Sequence, residues 1–232
     1  MTPAPAFSVK NLVASYGTLV AVRDVSITFP TGSAAGIFGH NGSGKSTLLK
    51  CLIGGVRSTS GSVHFEATKI QPNFVHKNVR LGIGVVPQTR NVFPSLTVEK
   101  CLQIAGMRDN RASLDTVFEI FPILAERRRQ RAGSMSGGEQ QMLAVGMALM
   151  TQPKALILDE PTAGLSPVVA RAALESIRTI NKRFGTTIVL VEQNVLMALD
   201  VVERAVVIRS GQVVFDGPSN ELKRKDDLWS WF

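Results

Sequence analysis

Residues 39–47 read Gly-His-Asn-Gly-Ser-Gly-Lys-Ser-Thr, which fits G-x-x-x-x-G-K-[ST] at Gly39, Gly44, Lys45 and Ser46. This short stretch constrains much more of the chain than its own length. Glycines let the backbone curl so that several N–H groups point inward, and a helix that follows adds its positive N-terminal end. Such a loop works only between a buried strand and a helix. Both are present in the pattern: Ser33–Phe38 is small and apolar, and Leu48, Leu49, Leu52 and Ile53 recur at helical spacing. Gly39, His40, Asn41, Gly42, Ser43, Gly44, Lys45, Ser46 and Thr47 are therefore the candidate cradle for a nucleoside triphosphate. Lys45 supplies a cation for the outer phosphates, and the Ser46 hydroxyl can ligate Mg²⁺.

The rest of the chain is read for a sheet that can hold this loop. Residues 7–30 read as short strands and Pro30-Thr31-Gly32 as a turn before the loop strand. Ser58–Gly61 reads as a turn, with Val63 and Phe65 alternating after it. From about Asn91 to Met150 the pattern is mainly helical, broken at Pro94, Pro122 and Gly137-Gly138. Ala155–Leu158 and Thr187–Val191 are apolar runs separated by a helical pattern over Val168–Phe184, the rhythm of a parallel sheet. Ala205–Ile208 and Gln212–Phe215 flank Ser210-Gly211 and read as a hairpin. There is no internal repeat, low-complexity run or interdomain linker.

Composition agrees with a folded α/β chain. Of 232 residues, 44% are hydrophobic and 19% charged, so a sizeable core is feasible. No run reaches the roughly 18 apolar residues that a membrane span needs. The Met-Thr-Pro-Ala-Pro-Ala start lacks the features of a signal peptide. Cys51 and Cys101 lie in apolar helical contexts without a Cys or His partner in sequence, so they read as buried reduced thiols rather than zinc ligands. The net charge of +8 includes two local clusters, Arg127, Arg128, Arg129 and Arg131, and Lys223, Arg224 and Lys225. They are compatible with a nucleic acid, an anionic surface or simply a solvated face.

Two further motifs narrow the chemistry. Ala155–Asp159 is an apolar strand that ends in carboxylates at Asp159 and Glu160. Ligands of open α/β sheets bind at the carboxyl ends of strands. Asp159 can hold Mg²⁺ there, and Glu160 can polarise an attacking water. Ser134–Gln141 reads Ser-Met-Ser-Gly-Gly-Glu-Gln-Gln, with capping-box spacing between Ser136 and Glu139. Gly137 and Gly138 disfavour a helix start on propensity alone. They make sense where a phosphate must approach bare N–H groups beside the Ser136 hydroxyl.

In this order and spacing the motifs resemble the nucleotide-binding subunit of ABC transporters over nearly the whole chain. Ser136-Gly137-Gly138-Glu139 stands where that family's signature motif stands. Tyr16 matches the aromatic that stacks on adenine, and Gln88 matches the glutamine that senses Mg²⁺ and meets the membrane subunit. Ala163–Ser166 occupies the loop that meets the partner protomer. Val-Phe-Pro-Ser-Leu-Thr-Val-Glu (92–99), Gly-Leu-Ser-Pro (164–167) and Leu-Val-Glu-Gln-Asn (190–194) look like the second ATPase of branched-chain amino-acid importers, a pattern shared by urea and amide importers.

The resemblance implies a RecA-like P-loop NTPase core with an antiparallel β-subdomain and a helical subdomain at about 90–150, all within one ATP-binding domain over residues 1–232. It implies ATP and Mg²⁺ as ligands, with Glu160, Lys45 and Gln193 catalytic and Ser46, Gln88 and Asp159 at the metal. Ser136, Gly137 and Gly138 would clamp ATP held by a second ATPase protomer, identical or different. The implied partners are membrane-spanning permease subunits at the cytoplasmic face and, indirectly, a solute-binding protein. Val92, Phe93, Pro94 and Leu96 offer apolar surface for that docking. Nucleic acid is not expected; a soluble ATPase acting on it, or a low-activity regulatory cassette, are the alternatives.

Three positions depart from the family pattern. Gln193 stands for the usual switch histidine, and an amide can hydrogen-bond a γ-phosphate but carries no proton charge. Ser166 stands for the usual aspartate. Met147 stands for the usual arginine, which points to altered packing rather than lost chemistry.

Overall fold

In this computed structural model residues 5–89, 91–107, 113–224 and 231 are described. Residues 1–4, 108–112 and Lys225, on which parts of the N-terminal, helical and basic-cluster readings fall, lie outside them.

The chain begins with β1 (Pro5–Tyr16) and β2 (Leu19–Pro30), each of 12 residues, rather than several short strands. What makes them read as short is a set of register shifts between them, around Asn11 and Asp24. Both residues adopt positive φ, 46° and 50°. Asn and Asp tolerate that region, and a bulge there bends a long strand without ending it. The Asn11 amide donates to Asp24 Oδ1 at 3.1 Å across the two bends.

β3 (Ala34–Phe38) is fully buried and feeds the glycine loop, and α1 (Lys45–Leu52) leaves it. β4 (Ser58–Phe65) includes the Ser58–Gly61 stretch expected to be a turn. There the chain pairs with β1 across two register shifts. Gly61 has φ 81°, and a Cβ on it would sit 2.3 Å from Asn11 O. The glycine therefore serves a close strand–strand approach, not a chain reversal. β5 (Thr68–Lys69) completes an antiparallel sheet of order β2-β1-β4-β5. α2 (Val75–Asn78) and a single 3₁₀ turn lead into β6 (Ile83–Val86).

Four helices follow: α3 (Val98–Gly106), α4 (Leu114–Ile120), α5 (Pro122–Glu126) and α6 (Gly137–Leu149). Each starts where sequence chemistry allows it. Thr97, Ser113 and Ser136 accept from backbone N–H groups at three N-caps, and Pro122 takes a first-turn position in α5. Gly137-Gly138 interrupts the helical pattern because α6 begins there, behind the Ser136 cap expected from the capping-box spacing. β7 (Ala155–Asp159), α7 (Pro167–Phe184) and β8 (Thr187–Val191) give the parallel rhythm. α8 (Val195–Leu199), β9 (Arg204–Arg209), β10 (Gln212–Pro218) and α9 (Ser219–Lys223) close the described chain.

The second sheet has the order β10-β9-β3-β8-β7-β6, parallel from β9 to β6 with β10 antiparallel at its edge. Both faces are covered, and the two-residue period of its strands sorts side chains between two cores. Leu156, Leu158, Ile188 and Leu190 join the helices. Ile157, Val189, Val191 and Ile37 face α1 and the antiparallel sheet. Cys51 and Cys101 are free and buried. Among the described residues no helix is long and apolar enough to cross a membrane.

Candidate active site

Four adjacent parallel strands, β3, β8, β7 and β6, end at one edge of the sheet, with Ile37 and Asp159 both in register with Val191. The segments leaving them carry the glycine loop, Gln193, the Asp159-Glu160 pair and Gln88. Positions scattered from 39 to 193 thus converge because strand register brings them together.

The glycine loop is held from outside. Gly44 has φ 107°, and a Cβ on it would lie 2.3 Å from Ala21 O, so only glycine fits against β2. Gly211, at the tip of the β9–β10 hairpin, donates its N–H to Ser43 O at 2.9 Å and accepts from Arg23 N at 2.8 Å. Lys45 is 4% exposed and donates to the carbonyls of Gly39 (2.7 Å) and His40 (2.8 Å). Burial pushes its amine below the usual lysine range, while Glu160 and Asp159 pull it back up. The Ser43 hydroxyl is buried without a hydrogen-bond partner among the described residues. A phosphate oxygen would satisfy it. His40, Asn41 and Gly42 face solvent, and Ser46 and Thr47 are half-buried at the start of α1.

Ser46 Oγ donates to Asp159 Oδ1 at 3.1 Å. Burial pushes the Asp159 carboxyl up; the Ser46 hydrogen bond opposes this, and the Glu160 charge adds to it. The Ser46 hydroxyl, the Asp159 carboxylate and the Gln88 side-chain carbonyl are hard oxygen donors of the kind Mg²⁺ takes. Among the described residues no cluster of three or more His, Cys, Asp or Glu forms a protein-only cage. That donor set fits a cation that completes its shell with water and phosphate oxygen.

Glu160 is 7% exposed and has φ 50°, a conformation rare for a residue with a side chain. Its N–H to Val191 O (2.9 Å) and its carbonyl, accepting from Ala163 N (3.1 Å), hold it there. Gln88 Nε2 and Gln193 Nε2 each donate to Glu160 Oε2 at 2.7 Å. The carboxylate is thus fixed between two neutral amides from the segments that follow β6 and β8.

One residue of this cluster went without a role in the sequence reading. Glu192 is 2% exposed, and its carboxylate accepts from Thr162 N (2.9 Å) and Gln193 N (3.2 Å). Burial pushes its carboxyl up, and hydrogen bonds from Thr162, Gln193 and Asn194 oppose the rise. The available signal was a charge placed directly after the fully buried run Thr187–Val191.

The remaining candidates lie elsewhere in the described contacts. Tyr16 is 48% exposed at the end of β1. Ser136 and Glu139 close on each other in a capping box at the start of α6. The reason given for the paired glycines needs dividing. A Cβ on Gly138 would meet Val169 Cγ1 of α7 at 2.4 Å, so this glycine is required by packing. Gly137 has nothing within 4 Å and alone offers open backbone. Val92 and Leu96, expected as free apolar surface, pack against the helical core, leaving Phe93 and Pro94 exposed. Met147 packs there too and lines a groove of about 550 Å³ with Arg80, Val85, Asn91, Ala105 and Thr151.

With this geometry in place, comparison with known proteins gives consistent results. The ABC transporter family profile matches residues 22–163. The chain is 44% identical over 203 residues to the high-affinity branched-chain amino acid transport ATP-binding protein BraG of Pseudomonas aeruginosa, covering 86% of this chain and 87% of that one. It is 40% identical over 216 residues to the probable branched-chain amino acid transport ATP-binding protein LivF of Archaeoglobus fulgidus, covering 91% and 92%. Among solved structures it is similar to the ADP conformation of MJ1267, an ATP-binding cassette of an ABC transporter, with TM-score 0.83, 26% identity and 98% of both chains covered.

Proposed function

The chain belongs to the ABC transporter family, and from that premise we propose that it is the ATP-hydrolysing subunit of an importer for branched-chain amino acids or a related small polar solute. The observation that carries the hydrolytic part is Glu160, held by Gln88 and Gln193 beside the glycine loop. The solute class rests on similarity to BraG and LivF. In this reading all 232 residues act as one nucleotide-binding domain, with a helical subdomain at about 90–150.

Tyr16 stacks on the adenine, and Gly39–Thr47 cradle the phosphates. Lys45 exchanges its two carbonyl partners for β- and γ-phosphate oxygens. Ser46, Asp159 and Gln88 hold Mg²⁺, which neutralises charge on the phosphate oxygens when bound. With both amides on Oε2, the other oxygen of Glu160 receives no donor from the described residues and takes the proton of the attacking water. Gln193 also faces the γ-phosphate. Ser136, Gly137 and Gly138 of one protomer close over the nucleotide of the other. Catalysis is then mostly positioning and charge neutralisation.

The assembly consists of two such ATPase protomers, identical or different, on permease subunits at the cytoplasmic face of the membrane, with a solute-binding protein acting indirectly. Exposed Phe93 and Pro94 supply the docking surface. The hydrolytic role is tested by Glu160→Gln in the purified chain. Nucleotide titration stays at the parent value, while turnover falls on the order of 10²–10⁴-fold, the usual loss for a general base. Turnover at the parent rate would remove Glu160 from that role.

A further inference from the structure

We propose that Glu192 is a positioning residue whose buried carboxylate ties the segment after Glu160 to the segment carrying Gln193, so that Gln193 is set against Glu160. The proposal rests on the hydrolytic reading of Glu160 given above and adds a residue to it.

A carboxylate with 2% exposure is costly unless its lone pairs are matched. Glu192 meets that demand with neutral donors from two segments. Thr162 N–H donates to Oε1 at 2.9 Å, and Gln193 N–H donates to Oε2 at 3.2 Å. The Thr162 hydroxyl and the Asn194 N–H also oppose the upward push of burial on this carboxyl. Thr162 lies two residues after Glu160, and Leu165 N donates back to Thr162 O at 3.1 Å. Gln193 touches Glu160 Oε2 at 2.7 Å. Glu192, Thr162, Glu160 and Gln193 therefore form a closed loop of contacts in which only Glu192 binds both segments through one side chain. An apolar residue would continue the buried run of β8 equally well. What it would not supply is acceptors for N–H groups of both segments. Because Thr162 adjoins Ala163–Ser166, any shift of that stretch reaches Gln193 through the same carboxylate.

The test compares turnover, nucleotide affinity and melting temperature in the full chain carrying Glu192→Gln, Gln193→Ala, or both. The amide of Glu192→Gln keeps the shape and one acceptor but turns its NH₂ toward a backbone donor. Turnover is expected to fall on the order of tenfold at unchanged nucleotide affinity, the mark of a misplaced group. Gln193→Ala also slows turnover, and the double variant is no slower than the slower single, since both changes break one linkage. Thr162→Val removes the hydroxyl that opposes the upward push on the carboxyl and leaves the carboxylate and both N–H donors in place. It shows a smaller loss, likewise hidden by Gln193→Ala, and carries the test if Glu192→Gln does not fold. Multiplicative losses in the double variants, or joint loss of melting temperature and nucleotide affinity in Glu192→Gln, would overturn the proposal. Parent-rate turnover in Gln193→Ala would overturn it as well. Failure of the underlying hydrolytic reading is seen separately, as parent-rate turnover in Glu160→Gln.

Discussion

The side-chain amides of Gln88 and Gln193 end on one oxygen of Glu160, and this contact bears on the departure at Gln193. A histidine there would titrate near its unperturbed pKa of about 6.5. Glutamine holds the same hydrogen bond without a charge that changes with pH. Gln193→His should therefore keep activity at neutral pH and gain an acid-side fall in the pH–rate profile as the imidazole protonates. Complete inactivity across the profile would show that the pocket demands an amide rather than a donor. At the neighbouring loop, Lys45 is already committed to two carbonyls and buried. In the proposed reading those two carbonyls are the partners that phosphate oxygens replace. Cys51, 3% exposed and with its thiol pushed up to about 11 by burial, takes no part in this chemistry.

The start of α6 separates two uses of glycine that sequence alone merges. Gly138 faces Val169 at a distance no Cβ tolerates, whereas Gly137 has open space around it. Gly138→Ala should lower stability by about 1–3 kcal/mol, the usual range for overpacking, as read by chemical denaturation. Gly137→Ala should leave stability unchanged or raise it by up to about 1 kcal/mol through helix propensity, yet slow turnover by crowding the partner's nucleotide. A Gly137→Ala variant with parent turnover would remove that residue from the nucleotide clamp. The glycine loop, β7, β8 and the capping box were legible because each is a local pattern: a fixed loop motif, an apolar run, or a three-residue spacing. The unbroken β1, β2 and β4 were not, because their bulges at Asn11, Asp24 and Gly61 are defined only by the strand opposite. The role of Glu192 was hidden for the same reason, since the donor that ties it to the other segment, Thr162 N–H, lies 30 positions away.

Over the whole molecule, several of the 26 basic residues are paired with carboxylates, and the excess of eight positive charges remains. Arg127 and Arg128 contact Glu139 and Glu99, Arg183 contacts Glu119, Arg204 contacts Asp216, and Lys154 contacts Glu66. Arg127 and Arg128 of the first basic cluster are thus each matched by an acid. Phe93 is one of several exposed large apolar residues, at 46%, and lies within the 92–96 stretch expected to meet the membrane subunit. Exposed anchors of this kind can carry about 2 kcal/mol of an interface. Phe93→Ala should keep the ATPase activity of the isolated chain while weakening association with permease subunits on the order of tenfold or more, as measured by co-sedimentation with membranes. Loss of ATPase activity and folding together would instead mark Phe93 as structural. The central claim, that hydrolysis at Glu160 drives import, is met most directly by measuring branched-chain amino-acid uptake into vesicles that hold the assembled transporter. The account predicts uptake that requires Mg-ATP with the parent chain and none above background with Glu160→Gln, which still binds nucleotide. Uptake at the parent rate with Glu160→Gln, or no ATP-dependent uptake with the parent chain, would contradict it.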